Sequence, residues 1–391
     1  MKNEKYCSFC GKKITDIVLS GNTGCICSDC INVANIYLKN TNNNLTNNIN
    51  KKSIPKPKEI KKFLDNYVIG QDSAKEKLSI AVYNHYKRIN SNICDDEIEL
   101  EKSNVLMIGN TGTGKTHLVK TIAKLLDVPF VIVDATAFTQ AGYVGEDVES
   151  IISRLLQVCD YNVAKAENGI VFIDEVDKLS AKSPGRSITK DVNGEGVQQS
   201  LLKLLEGSDI LCPPEGGRKH PEQPGIKVNT KNILFICGGA FVGLNDIVNS
   251  KFKKINKIGF NSNNESSKIN EDEWIKNIEV DDLKQFGLIP EFLGRLPIIT
   301  YTEELSKETL KDILLKPKNS LIKQYTKLFE IDGIKLSFND EIIDYIVDKA
   351  YENKLGARGL RSIIENIMTK PMFELPSKKL KKYNVSLKDV V

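Results

Sequence analysis

The stretch VLMIGNTGTGKT, residues 105–116, decides the fold. Four apolar residues read as a strand buried on both faces, and HLVKTIAKLL beyond them carries apolar positions at helical spacing. Between the two, GNTGTGKT (109–116) fits the pattern G-x-x-x-x-G-K-[ST]. Glycines at Gly109, Gly112 and Gly114 let backbone N–H groups curl round a phosphate, and the following helix adds its positive end. Asn110, Thr111 and Thr113 complete that cradle. Lys115 is placed to reach the β- and γ-phosphates of ATP, and the Thr116 hydroxyl to ligate Mg²⁺. His117 closes the nucleotide-contacting run as a tolerated helix residue rather than a catalyst.

Working outward, the order strand then helix repeats. FVIVDA (130–135), GIVFIDE (169–175) and NILFICGG (232–239) are β-branched runs, with helical stretches such as VESIISRLLQVC between them. That order predicts an α/β fold, a parallel sheet wrapped by helices. Two acids after a strand, Asp174 and Glu175, would ordinarily be read as a helix N-cap. One strand beyond a phosphate loop they gain work: Asp174 suits the Mg²⁺ shell, and Glu175 can polarise an attacking water as general base. With both acids intact, hydrolysis rather than mere binding is expected. The run ICGGA holds no Asn or Thr side chain and is assigned no role.

The chain has 391 residues, enough for two or three domains with real cores. Its 55 Lys and Arg against 51 Asp and Glu leave a net charge of +4, too slight to argue for nucleic acid as main partner. No apolar run approaches a membrane span and the N-terminus has no apolar signal core, so a cytoplasmic protein is expected, bacterial or in an organelle matrix.

Nine cysteines are present, five of them within the first 30 residues. Cys7 and Cys10 form one C-x-x-C, and Cys27 and Cys30 a second. That spacing lets two knuckles close a tetrahedral S4 site of the kind Zn²⁺ prefers, with redox dithiols the rival reading. Cys25 could compete as a ligand, although it fits the knuckle poorly. Four thiolates leave no open position, so the metal is expected to be structural. Cys94, Cys159, Cys212 and Cys237 read as ordinary thiols in a reducing compartment.

An Asn/Lys/Pro-rich run follows the cysteines and reads as a flexible linker. Near 255–273 a second low-complexity patch contains the apolar triplet Ile258, Gly259 and Phe260, odd in polar surroundings. Beyond about residue 303 the pattern turns helical, with IKLSF (334–338) a lone strand candidate. Three further features lack a local explanation. Tyr143 and Val144 stand at the tip of TQAGYVGEDVES (139–150). Arg218, Lys219 and His220 follow two glycines, a basic loop suited to a carboxylate or simply solvated. Arg295 and Arg358 are surface ion-pair partners unless a phosphate lies near them.

Taken in order, the paired C-x-x-C, the P-loop, AGYVGED, IVFIDE, GGRKH, IGF, LIPEFLGRLP and GARGLR closely resemble the ClpX family of ATP-dependent protein unfoldases, members of the AAA+ class. The resemblance covers nearly the whole chain and is weakest in the Asn-rich linker and around 250–273. It implies a zinc-binding module (1–39), a linker (40–58), an AAA+ large ATPase domain (59–302) and a small, mainly helical AAA+ domain (303–391). It also implies a homo-hexameric ring that grips proteins with unstructured tags, unfolds them with ATP, feeds them to the ClpP peptidase and can act alone as a chaperone.

Residue by residue, the resemblance places Val68 and Ile69 against adenine, Arg295 as an arginine finger acting in trans, and Arg358 as the sensor-2 arginine. Tyr143 and Val144 become the first pore loop. ITKDVNGEG (188–196) becomes the second, with Lys190 where the family commonly has arginine. Arg218, Lys219 and His220 match the loop at the channel entrance, and Ile258–Gly259–Phe260 the tripeptide that docks on ClpP. The zinc module would dimerise and recruit adaptors or substrates. No nucleic acid or membrane partner is expected. Two rivals stay open: an HslU-type unfoldase, and a nucleic-acid-binding zinc protein that uses ATP as a switch.

Overall fold

Strand runs that are apolar on both faces can only persist where helices cover both sides of a sheet, and the chain meets that requirement. The structure, a computed structural model, describes residues 6–13, 18–20, 24–31, 33–34, 54–90, 100–139, 146–180, 194–212, 225–255, 274–378 and 380–389. Near the N-terminus β1 (Val18–Ser20) and β2 (Cys25–Cys27) pair antiparallel. The main body then contributes β3 (Val105–Ile108), β4 (Phe130–Asp134), β5 (Ile170–Asp174), β6 (Asp209–Cys212), β7 (Ile226–Asn229), β8 (Leu234–Gly239) and β9 (Ile298–Tyr301). Five of these form one parallel sheet in the order β4-β5-β8-β3-β9. Strands β6 and β7 make a separate antiparallel ribbon.

Alternate residues of the central strands feed two cores. Leu106, Ile108, Val171, Ile173 and Phe235 pack with the helices Ser150–Val158 and Glu195–Glu206. Val105, Met107, Ile170, Phe172 and Ile236 pack with the helices Pro57–Asp65, Asp72–Asn90 and Lys115–Leu126. Each such side chain, fully withdrawn from water, contributes about 1.5–3 kcal/mol.

A third core is built from residues beyond 305. It joins the helices Lys307–Leu315, Leu321–Ile331, Asp340–Glu352 and Gly356–Glu374 with β10 (Lys335–Phe338) and β11 (Lys382–Val385). Ser306 and Ser320 start the first two helices, each hydroxyl accepting a backbone N–H three residues on. Among the described residues no helix is long and apolar enough to cross a membrane.

The expected strands at 105–109, 130–135, 169–175 and 232–239 are all present. Three details differ from expectation. The segment 334–338 is not a lone strand, because β10 pairs in parallel with β11, Leu336 opposite Tyr383. The partner was obscured by the lysines around it, which leave only Val385 of β11 fully buried. The helix Pro57–Asp65 begins inside the segment read as linker over 40–58. Proline at its first turn and the Lys56 N–H bonded to Glu59 Oε2 at 2.8 Å fix that start. The edge strand β9 was not expected at all: its four half-apolar residues follow Leu296–Pro297 and are too few to show a period.

Candidate active site

The P-loop turns sharply because its glycines adopt backbone angles other residues avoid. Gly109 has φ +154°, and a Cβ there would lie 2.0 Å from Thr302 Oγ1. Gly112 has φ +85°, and a Cβ there would meet the Leu355 carbonyl oxygen at 2.6 Å. The helix Lys115–Leu126 opens on Gly114 with no side-chain cap, leaving its first N–H groups for an anion. Lys115 is buried, and its Nζ donates to the carbonyls of Gly109 and Asn110. Burial holds the Lys115 ammonium below its ordinary pKa against the pull of Asp174 and Asp177, and Arg358 adds to the depression.

Strand β5 delivers the acids. Thr116 Oγ1 donates to Asp174 Oδ2 at 3.3 Å, joining the loop after β3 to the end of β5. A hydroxyl and a carboxylate side by side are hard oxygen donors, the set that Mg²⁺ takes. Glu175 follows with φ +59° and an exposed side chain, and its N–H donates to Asp174 Oδ1 at 3.0 Å. A glutamate held in the left-handed region costs free energy, of the kind active sites tolerate when it aims a side chain. Asp177, which sequence reading passed over, is buried and accepts the Ala240 N–H at 3.2 Å. It fixes the end of β8, where a Cβ on Gly239 would come within 2.6 Å of Asp177 Oδ1. The run ICGGA therefore holds glycine for packing.

Val68 is buried and Ile69 half-buried in the turn after the helix Pro57–Asp65. His117 bonds the backbone of Tyr67 and so ties the start of the P-loop helix to that turn.

The two arginines part company. Arg358 lies exposed in the first turn of the helix Gly356–Glu374, and its charge reaches Lys115. Arg295 instead pairs with Glu206 at 2.8 Å, both side chains about half exposed. Buried Asn104 donates to the carbonyls of Arg295 (3.0 Å) and Leu205 (3.1 Å), which fastens that pair to the sheet. Neither Glu206 nor Asn104 stands in a motif, so only the fold reveals them.

Four of the five N-terminal cysteines converge. Sulfurs of Cys7, Cys10, Cys27 and Cys30 all lie within 4.8 Å of one another, and Cys10 and Cys27 are 3.7 Å apart. A tetrahedral Zn²⁺ with bonds of about 2.3 Å spaces its sulfurs about 3.8 Å apart, so the set fits. Backbone N–H groups at Cys10 and Cys27 lower the Cys7 thiol to about 6, while Cys27 and the other neighbouring thiols push the Cys30 thiol up. Cys25 is not part of the cluster; its N–H donates to Ser8 Oγ instead.

Tyr143, Val144, Lys190, Arg218, Lys219, His220, Ile258, Gly259 and Phe260 lie outside the described residues.

Two family models match the chain. An AAA domain of the Cdc48 subfamily covers residues 100–299, and the C-terminal D2-small domain of ClpB protein covers 305–387. A protein of Bacteroides thetaiotaomicron named "ATP-dependent Clp protease ATP-binding subunit ClpX" is 55% identical over 99% of this chain and 95% of its own length. One of Bacteroides fragilis with the same name is 55% identical over 98% and 94%. A Porphyromonas gingivalis protein, again so named, is 53% identical over 97% and 94%.

Proposed function

The chain belongs to the ClpX family of AAA+ ATPases, the ATP-binding subunits of ATP-dependent Clp proteases, and we propose that it works as a hexameric ring that unfolds tagged proteins and threads them into the ClpP peptidase. The observation that carries this reading is the junction of Thr116 with Asp174 beside the left-handed Glu175. In such a site the P-loop N–H groups and Lys115 hold the β- and γ-phosphates, and Thr116 and Asp174 hold Mg²⁺. Mg²⁺ held there would supply positive charge beside the phosphate oxygens. Glu175 takes a proton from the attacking water.

Val68 and Ile69 face adenine, and Arg358 meets the phosphates from the C-terminal core. Arg295 serves the neighbouring subunit. Its exposed pair with Glu206 is worth at most about 1 kcal/mol, so Glu206 parks the guanidinium without holding it. Division of the chain into 1–39, 40–58, 59–302 and 303–391, with helix already begun at Pro57, suits this scheme.

Cys7, Cys10, Cys27 and Cys30 hold a structural Zn²⁺, and the module they close receives adaptors. Tyr143 and Val144 grip polypeptide in the channel, Lys190 supports them from a second loop, and Arg218, Lys219 and His220 receive a tag's carboxylate. Ile258, Gly259 and Phe260 dock on ClpP, an apolar triplet buried only in its partner. The cytoplasm is the compartment this assembly fits. An HslU-type reading leaves the cysteine cluster without a purpose.

The test is ATP-dependent loss of fluorescence from a stable fluorescent protein bearing an unstructured C-terminal tag. Unfolding that needs hydrolysis supports the reading. Brisk ATPase with no unfolding of any tagged substrate, adaptors supplied, would count against it.

A further inference from the structure

Residues 302–304 lie between the segments matched by the two family models, and two of the three, Thr302 and Glu304, are hydrogen-bonded to the P-loop. Thr302 donates its N–H to the Ile108 carbonyl at 2.8 Å, and its hydroxyl meets that of Thr113 at 2.6 Å. Glu304 accepts from Asn110 Nδ2 at 2.6 Å. Glu303 is held twice by Gln71: Gln71 Nε2 donates to the Glu303 carbonyl at 2.8 Å, and the Glu303 N–H donates to Gln71 Oε1 at 2.7 Å.

Gln71 stands two residues after Ile69. It is buried, with 4% of its surface exposed, and adopts φ +62°. Its Nε2 also lies 3.5 Å from the Thr113 carbonyl in the P-loop, and its own carbonyl starts the helix Asp72–Asn90. A primary amide carries a donor and an acceptor in one plane, so it can pair with a peptide unit as a neighbouring strand would. No other side chain type offers that pairing at this reach. One residue, two positions beyond Ile69, therefore sets its amide against both the P-loop and the connection between the two ATPase cores.

We propose that Gln71 is a positioning residue that passes the state of the P-loop to residues 302–304 and so sets the orientation of the C-terminal core. The proposal rests on the reading that ATP binds at 109–116, and it takes residues 302–304 as the pivot about which the two cores turn. A shift of the Thr113 carbonyl as phosphates enter the loop changes what Gln71 Nε2 can reach. The paired Glu303 peptide must follow, because a buried amide cannot abandon its partners cheaply. Small displacements become rigid-body rotations when the connecting element is this tightly paired.

The experiment places a donor and an acceptor dye at Ile80 and Ile331, both exposed, through unnatural amino acids that leave the cysteines alone. The labelled full-length chain, at trace amounts among unlabelled copies of the same variant, is titrated with a slowly hydrolysed ATP analogue and Mg²⁺. Wild type, Gln71→Leu and Gln71→Glu are compared, with kcat and KM for ATP measured alongside. Expected is analogue binding within about threefold of wild type, a nucleotide-dependent dye shift reduced by about half or more, and kcat lowered about tenfold. A full shift with normal binding overturns the proposal. So does a loss of binding, which would make Gln71 part of the pocket. Wild type that binds the analogue without any shift refutes the moving-core reading itself, a separate failure. Should Gln71→Leu not fold, Gln71→Glu decides: it is isosteric, still accepts from Glu303 N–H and, in its ionised form, can no longer donate.

Discussion

The backbone N–H of Ala357, in the C-terminal core, donates to the carbonyl of Gly112 in the P-loop across 3.1 Å. The contact is a meeting of two glycines, since a Cβ on Gly356 would lie 2.9 Å from the Gly112 carbonyl oxygen. Gly356 also has φ +57°. Alanine there brings both backbone strain, about 1 kcal/mol or more, and a clash that pushes the cores apart. Gly356→Ala should therefore keep its circular dichroism and lose ATPase activity several-fold, because Arg358 retreats with the helix start. ATPase at the wild-type level would show that this contact is dispensable.

Glu175→Gln removes the proposed base and keeps the shape. Nucleotide binding should persist, since Lys115, Thr116 and Asp174 are untouched, while turnover drops by about 10²-fold or more. Equilibrium binding of a fluorescent nucleotide and a phosphate-release assay check the two halves. Hydrolysis at the wild-type rate would remove Glu175 from the role of base.

The sheet and the phosphate site were legible because they obey local rules. The P-loop is a contiguous pattern, and the central strands advertise themselves by being apolar on both faces. What the sequence concealed are contacts between distant segments. Gln71 stands beside Ile69, yet its meaning depends on Glu303, more than two hundred residues away. Glu206 and Asn104 are ordinary in sequence and become informative only when Arg295 lies beside them. Strand β11 was hidden because an edge pair in a lysine-rich tail shows no alternation strong enough to read.

A pH test follows from His85. Its Nε2 lies 3.0 Å from the Asn232 carbonyl, and its Nδ1 is buried with no partner among the described residues. Burial, with Arg88 and Lys102 adding repulsion, pushes the His85 imidazole down to about 3. An unfolded histidine takes its proton near 6.5, so between those values the unfolded chain binds the proton and the folded one refuses it. Stability from this group is complete above about pH 6.5 and falls as pH drops, by ~2 kcal/mol at pH 5. Urea titrations followed by the sole tryptophan, Trp274, which packs on the large core, report it. His85→Leu should flatten the difference between about pH 7.5 and pH 5 by that amount; an unchanged difference would mean His85 is not what titrates.

Metal removal separates the N-terminal module from the motor. Purified chain should carry one Zn²⁺, lost with Cys27→Ser but kept with Cys25→Ser, since Cys25 lies outside the cluster. Chelation should unfold residues around the cysteines, because a site of four thiolates supplies much of such a module's folding free energy. ATPase activity should survive, as the P-loop and its acids belong to other cores. Metal content by emission spectroscopy beside ATPase rates gives both answers, and zinc retained by Cys27→Ser would redraw the ligand set.

Gripping and docking can be separated from hydrolysis in the same way. The sequence sets Tyr143 and Val144 between two glycines, and an aromatic side chain offers broad contact to any unfolded chain. Tyr143→Ala touches none of the groups that bind phosphate, so ATPase should remain while unfolding of a tagged fluorescent protein fails. Deleting residues 258–260, the proposed docking triplet, should act differently: unfolding should continue, and only degradation in the presence of ClpP should stop. The two phenotypes are opposite in the assay that matters. If Tyr143→Ala still unfolded at the wild-type rate, the force would have to reach the substrate through Lys190 or the 218–220 loop. If the deletion still degraded, docking on the peptidase would lie elsewhere on the ring.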